Sequence, residues 1–234
     1  MDVKAPATIP YFLKEQIREL IVDGTFRPGQ PLREQELEQR FGTSRSPIRE
    51  ALRLLELSGL VVHLQRKGFR IRRYTEDEIR DIFLLRAELA SYSINQLVGQ
   101  PDLVRLLRAF KEHDAALARA HAARDVSAYV NALREYYLAC ARYTDNVPLV
   151  DTLDRLTEQV EPLRYNLLRH QLADIAYDAY HAGVAEALGQ GEFSRAAQLA
   201  RDHVLNMLSQ VVHAYAQVVV DVSDDEGEER LRAY

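Results

Sequence analysis

Proline has no backbone donor and fits only the first turn of a helix. Pro47, within the run of residues 42–60, therefore places a helix start among Thr43, Ser44, Arg45 and Ser46. The hydroxyls there can cap free amides, and Gly59 closes the helix. At ~100° per residue, Arg45, Arg49 and Arg53 fall within an arc of about 80° with Ser46 at its edge, while Ile48, Ala51 and Leu55 gather on another side. One face packs and the other offers guanidinium groups. Such groups bond bidentately to guanine in the major groove or to phosphate, and a helix N-terminus adds amide donors for phosphate.

The flanking segments fit that reading. Leu13, Ile17, Leu20 and Ile21 repeat at helical spacing over residues 11–22, closed by Asp23-Gly24. Residues 27–31, with two prolines and a glycine, form a turn, and 34–41 form a short helix that buries Leu37 and Phe41 and ends at Gly42. This helix, the tight turn and the arginine-bearing helix make a helix-turn-helix. Two β-favouring runs follow, 60–63 and 69–72, about the basic tip Gln65, Arg66, Lys67 and Gly68, which makes a wing. The overall net charge of −5 hides an asymmetry. Residues 1–74 hold 14 Lys and Arg against 9 Asp and Glu, a net of +5, so the remainder carries −10. The basic surplus sits with the groove helix, as contact with an acidic polymer requires.

Thr75, followed by Glu76, Asp77 and Glu78, reads as an N-cap with acids in the first turn of a new helix. From there the pattern is helical throughout: about 76–98, 103–121, 126–143, a fourth from Leu149, then 173–188 and 192–220. Along the fourth, Leu149, Leu153, Leu156, Val160, Leu163 and Leu167 mark a narrow packing seam, with Pro162 a candidate kink. The expected fold is mainly α: an N-terminal winged helix-turn-helix over 1–74, an antiparallel bundle of about six helices over 75–220, and an acidic tail over 221–234. At 234 residues and 47% hydrophobic content the chain can bury a real core. The single cysteine, Cys140, cannot form an internal disulfide, and no leader or membrane span is evident, so a cytoplasmic protein is expected.

Residues 11–73 resemble the winged helix-turn-helix of the GntR family of bacterial transcription regulators. The resemblance rests on Ile21 through Gly24, Pro28-Gly29, Leu32, Glu36-Leu37, Phe41-Gly42, the run from Ser44 through Leu52, Leu57, Gly59-Leu60-Val61 and Lys67-Gly68-Phe69. It implies that Arg45 and Arg49 read bases, with Arg53 on the same stripe. It also implies that Arg33, Ser44, Ser46, Gln65, Arg66, Lys67 and Gly68 hold phosphates or probe the minor groove. Gln35 stands where some relatives carry another DNA-contacting arginine. The bundle is similar to the all-helical effector-binding (FCD-type) domain of the FadR-like branch. Together these imply a homodimer on double-stranded operator DNA with an inverted repeat. The regulator, a repressor on family behaviour, would be controlled by a small carboxylate bound in the helical domain.

Many FadR-like bundles hold a divalent metal, zinc or nickel, with an aspartate and a histidine one turn apart plus two later histidines. His181 and His203 match the later pair, each 11 residues from Glu192, but the positions for the first two are Leu133 and Tyr137. The histidines thus have three readings: cleft residues bonded to a group such as Tyr137, ligands of an incomplete metal site, or contacts to an anionic effector. Arg86 and Arg164 lie within apolar registers, where a buried guanidinium needs a carboxylate of the protein or of a ligand. The candidate effector residues are therefore Arg86, Tyr137, Arg164, His181 and His203. Competing functions are a metal-dependent helical enzyme and a dimeric helical scaffold carrying a DNA-binding module. No nucleophile-base pair, phosphate loop or Cys/His cluster supports the enzyme.

Overall fold

The computed structural model describes residues 8–100, 102–172 and 181–223. Among the described residues two compact units are present: Tyr74–Val212 form one, and residues 8–73 with 213–223 form the other.

The first unit contains α1 (Ile9–Val22), β1 (Pro31–Leu32), α2 (Glu34–Phe41), α3 (Arg45–Ser58), β2 (Val61–Leu64) and β3 (Gly68–Ile71). Left-handed glycines end α2 and α3, Gly42 at φ 61° and Gly59 at φ 84°, a conformation that glycine adopts without a Cβ clash. Helix α1 starts at Ile9, two residues earlier than the periodicity indicated, with Pro10 in its first turn. Its buried side, Leu13, Ile17 and Ile21, shares a core with Ile48, Ala51, Leu52 and Leu55 of α3 and with Leu60, Val61, Phe69 and Ile71 of the hairpin. The sheet has the order β1-β3-β2, all antiparallel, with Val61 opposite Ile71 and Leu64 opposite Gly68. Strand β1 corrects the expectation of a simple turn over 27–31. Pro31 pairs with Arg70 and Leu32 with Phe69 on the edge of the sheet, where a residue without an N–H is tolerated.

The second unit is helical: α4 (Glu76–Asn95), α5 (Val104–Ala123), α6 (Val126–Tyr143), α7 (Val147–Gln171), α8 (His181–Gly189), α9 (Phe193–Asn206) and the start of α10 (Leu208–Ser223). Thr75 begins α4 with a capping box: the Glu78 N–H donates to Thr75 Oγ1 at 3.1 Å, and the Thr75 N–H donates to Glu78 Oε2 at 2.8 Å. All six seam residues of α7 are buried, and the helix continues through Pro162. The single helix expected over 192–220 is instead two, separated at Met207. Its φ of −82° and ψ of −16° remain in the helical region, so the ladder lapses without a glycine or proline to mark the place. The expected helix over 173–188 is described only from His181; residues 173–180, like the acidic tail beyond Ser223, lie outside the described residues. Among the described residues no helix is long and apolar enough to cross a membrane. Helix α4 packs most extensively on α9 and also meets α6 and α7, which brings side chains from four helices toward one interior.

Candidate functional site

Helix α3 presents two faces, with Leu57 near its end the one large apolar side chain of the helix in solvent. Ile48, Ala51, Leu52 and Leu55 have no exposed surface, whereas Ser44, Arg45, Ser46, Arg49 and Arg53 are exposed. Arg33 at the start of α2 is exposed too, as are Gln65, Arg66, Lys67 and Gly68 at the tip of the hairpin. At that tip the Lys67 N–H donates to the Leu64 carbonyl at 3.0 Å, and Arg66 takes a left-handed φ of 64°, the conformation the third residue of a type II turn requires. Ser44 is the N-cap residue of α3, yet its side chain makes no cap hydrogen bond. This corrects the expectation of a hydroxyl cap and leaves first-turn amides able to meet an outside acceptor such as phosphate.

Glu34, which sequence reasoning missed, stands within this face. Its carboxylate accepts from Arg45 Nε and lies 3.9 Å from Arg49 Nε. A second surface pair joins Arg33 Nη1 to Glu36 Oε1 at 2.8 Å. Exposed pairs of this kind contribute at most about 1 kcal/mol, so the guanidiniums can exchange these carboxylates for phosphates or base edges. The signal for Glu34 was its place at the start of α2, but its grip on Arg45 spans eleven residues and two helices.

The second unit holds a different set of cations. Arg86 on α4 and Arg164 on α7 are each 1% exposed. Their guanidinium carbons lie 5.4 Å and 4.6 Å from the ring centroid of Tyr137 on α6, a cation–π arrangement. The Tyr137 ring in turn lies 5.4 Å from that of His203 on α9. Among the described residues, Nε and Nη1 of Arg86, all three guanidinium nitrogens of Arg164 and the Tyr137 hydroxyl are buried without a hydrogen-bond partner. Among the described residues neither arginine forms the internal salt bridge that a buried guanidinium ordinarily needs. Four of the five expected effector residues are thus brought together; the side chain of His181, the fifth, lies outside the described residues.

The electrostatics follow from this geometry. Burial holds Arg86 well below its usual range, and repulsion from Arg164 adds to the effect, while the nearby Glu161 carboxylate opposes it. Burial lowers Arg164 likewise, with Tyr137 and Glu161 opposing. Burial pushes the Tyr137 hydroxyl up despite both arginines, so it remains a proton donor. Glu161, itself fully buried, accepts from Arg134 Nη1 at 3.2 Å, and Arg134 Nη2 also donates to Asp154 Oδ1 at 2.7 Å. This acid–arginine network was not foreseen, because Arg134, Asp154 and Glu161 look like ordinary helix-surface charges in the sequence. Burial also pushes the Cys140 thiol up to about 12.

A metal centre does not fit these residues. Leu133 and Tyr137, at the positions where an aspartate and a histidine are required, are buried and supply no carboxylate or imidazole. Among the described residues no group of three His, Cys, Asp or Glu side chains could hold a metal ion. Two guanidiniums beside Tyr137 would repel a divalent cation near His203. A surface depression of about 550 Å³, lined by Val98, Gly191, Glu192, Phe193, Ser194 and Arg195, includes none of the expected effector residues.

Comparison with known proteins adds independent findings. Residues 12–71 match the family described as bacterial regulatory proteins, gntR family, and residues 81–206 match the FCD domain. The chain is 28% identical over 215 residues to the Glc operon transcriptional activator of Escherichia coli strain K12, covering 81% of this chain and 84% of the relative. It is 26% identical over 212 residues to the HTH-type transcriptional repressor GlaR of the same organism, covering 84% and 92%. In fold it is similar to a solved structure of a GntR transcriptional regulator from Rhodococcus sp. RHA1. The TM-score is 0.73 at 21% identity, over 89% of this chain and all of that one.

Proposed function

Because the chain belongs to the GntR family of bacterial regulatory proteins, in the branch with an FCD domain, we propose how this regulator reads its operator and answers its effector. It is a DNA-binding transcription regulator and not an enzyme, and its second unit is the FCD effector-binding domain. It acts in the cytoplasm as a homodimer, each copy placing α3 in the major groove of one half of an inverted repeat. Arg45 and Arg49 read base edges, with Arg53 further along the stripe. Arg33, Ser44, Ser46 and the tip from Gln65 through Gly68 hold phosphates or enter the minor groove.

The observation that carries the reading is the two-sided α3, with Ile48, Ala51, Leu52 and Leu55 fully buried and its arginines in solvent beside an exposed basic hairpin tip. The effector is a small carboxylate held at Arg86, Tyr137 and Arg164, with His203 adjacent and His181 as a further contact. It relieves repression by binding more tightly to the state with the lower operator affinity. Selection of bound duplexes from a randomised pool tests the DNA part, with enrichment of an inverted repeat expected. Recovery of a single half-site, or of no common sequence, would reject it. A reporter placed under the selected operator then shows the sign, since a carboxylate that lowers rather than raises expression marks activation.

A further inference from the structure

Five guanidinium nitrogens converge on one ring with no hydrogen-bond acceptor among the described residues. Arginine remains protonated in proteins, so the pair carries two positive charges out of water. The carboxylate whose field reaches both is Glu161, and it already accepts from Arg134. One shared negative charge does not balance two forks, each of which matches a carboxylate bidentately. The Tyr137 hydroxyl is a third unused donor at the same place. Each of these three side chains is at least nine-tenths buried, and each comes from a different helix.

We propose that the FCD domain of this chain binds a small dianion without a metal, one negative group on Arg86, the other on Arg164, and the Tyr137 hydroxyl donating to either. The proposal rests on the reading that the effector sits at these residues and goes beyond it in naming the ligand's charge and excluding a metal bridge. The arginine pair supplies the positive charge that a bound cation would otherwise bring, and Leu133 and Tyr137 supply none of the ligands such a cation needs. A dicarboxylate with a short spacer and a phosphate share this chemistry, and titration separates them.

The protein is stripped with EDTA, its metal content is checked by elemental analysis, and it is titrated calorimetrically. The probes are malonate, succinate, glutarate and inorganic phosphate, with acetate and butyrate as single-charge counterparts. At least one dianion should bind at least about tenfold more tightly than the monocarboxylates, as loss of a charge-assisted fork implies. Its affinity should not change when zinc or nickel is restored. Arg164→Met should abolish that binding while raising the melting temperature of the unliganded protein, because it removes an uncompensated buried charge. Arg86→Lys, which keeps the charge and loses the fork, should weaken binding with the helical content unchanged.

Equal binding of mono- and dicarboxylates would overturn the dianion and leave the carboxylate reading intact. Binding that needs zinc or nickel would overturn the metal-free site. Binding of phosphate with no dicarboxylate bound would keep the dianion and reject the carboxylate. Failure of every anion to bind would overturn both, and a fall in melting temperature in Arg164→Met would then show that the pair is neutralised from within the chain.

Discussion

Arg45 and Arg49 of α3 carry the same guanidinium as Arg86 and Arg164 of the helical unit, yet the two pairs live in opposite surroundings. The first stand in solvent at 69% and 49% side-chain exposure, facing the Glu34 carboxylate. The second are 1% exposed and have no carboxylate hydrogen bond among the described residues. In water a lost or gained charge partner is worth little, because solvent screens it. In the interior an unmatched charge is among the costliest features a fold can hold. The exposed pair is therefore free to exchange partners, which suits a surface that must bind and release DNA. The buried pair is committed to finding an anion, which suits a sensor.

The sharpest way to break this contrast is at Glu161. Glu161→Gln removes the one buried carboxylate, among the described residues, that acts on Arg86, Arg134 and Arg164 together. Urea unfolding should show a loss of about 3 to 5 kcal/mol, the usual effect of deleting one side of a buried pair. A loss under about 1 kcal/mol would place these arginines in the same screened regime as those of α3. On the exposed side, Arg49→Ala should cost about 1 to 3 kcal/mol of operator binding and relax preference at one base pair. An equal loss on random DNA would make Arg49 a phosphate contact.

Smaller effects sharpen the picture. Glu34→Gln removes a carboxylate that competes with phosphate for Arg45 and Arg49. Affinity for DNA should rise by up to about fivefold, the range of an exposed pair, with the melting temperature nearly unchanged. A fall in affinity would show that Glu34 instead aims the two guanidiniums. Lys67→Ala should reduce the salt slope of binding by about one unit, and an unchanged slope would take the hairpin tip out of the interface.

What was legible in the sequence follows the range of the interaction that produces it. Gly42 and Gly59 as helix stops, the Thr75 N-cap with its first-turn acids, the buried stripe of α3 and the α7 seam all depend on residues within a turn or two of one another. They could be read without knowing the fold. Arg86 and Arg164 were visible as misfits in apolar registers, though not as neighbours. The miss at the α3 start has the same cause in reverse: Ser44 had the right residue type at the right position, and its hydroxyl nevertheless makes no cap bond.

By itself, the sequence determined the mainly helical class, the winged helix-turn-helix, the arginine stripe and the apolar seams, because hydrophobic periodicity and terminal hydrogen bonding are local. Only the tertiary structure decided that Pro31 and Leu32 join β3, that Glu34 reaches Arg45, and that α4, α6 and α7 bring Arg86, Tyr137 and Arg164 to one point. Those are contacts between residues 11 to 51 positions apart, and no periodicity encodes them. They follow from which apolar faces bury each other, and the polar groups carried along are left to find partners where packing has put them.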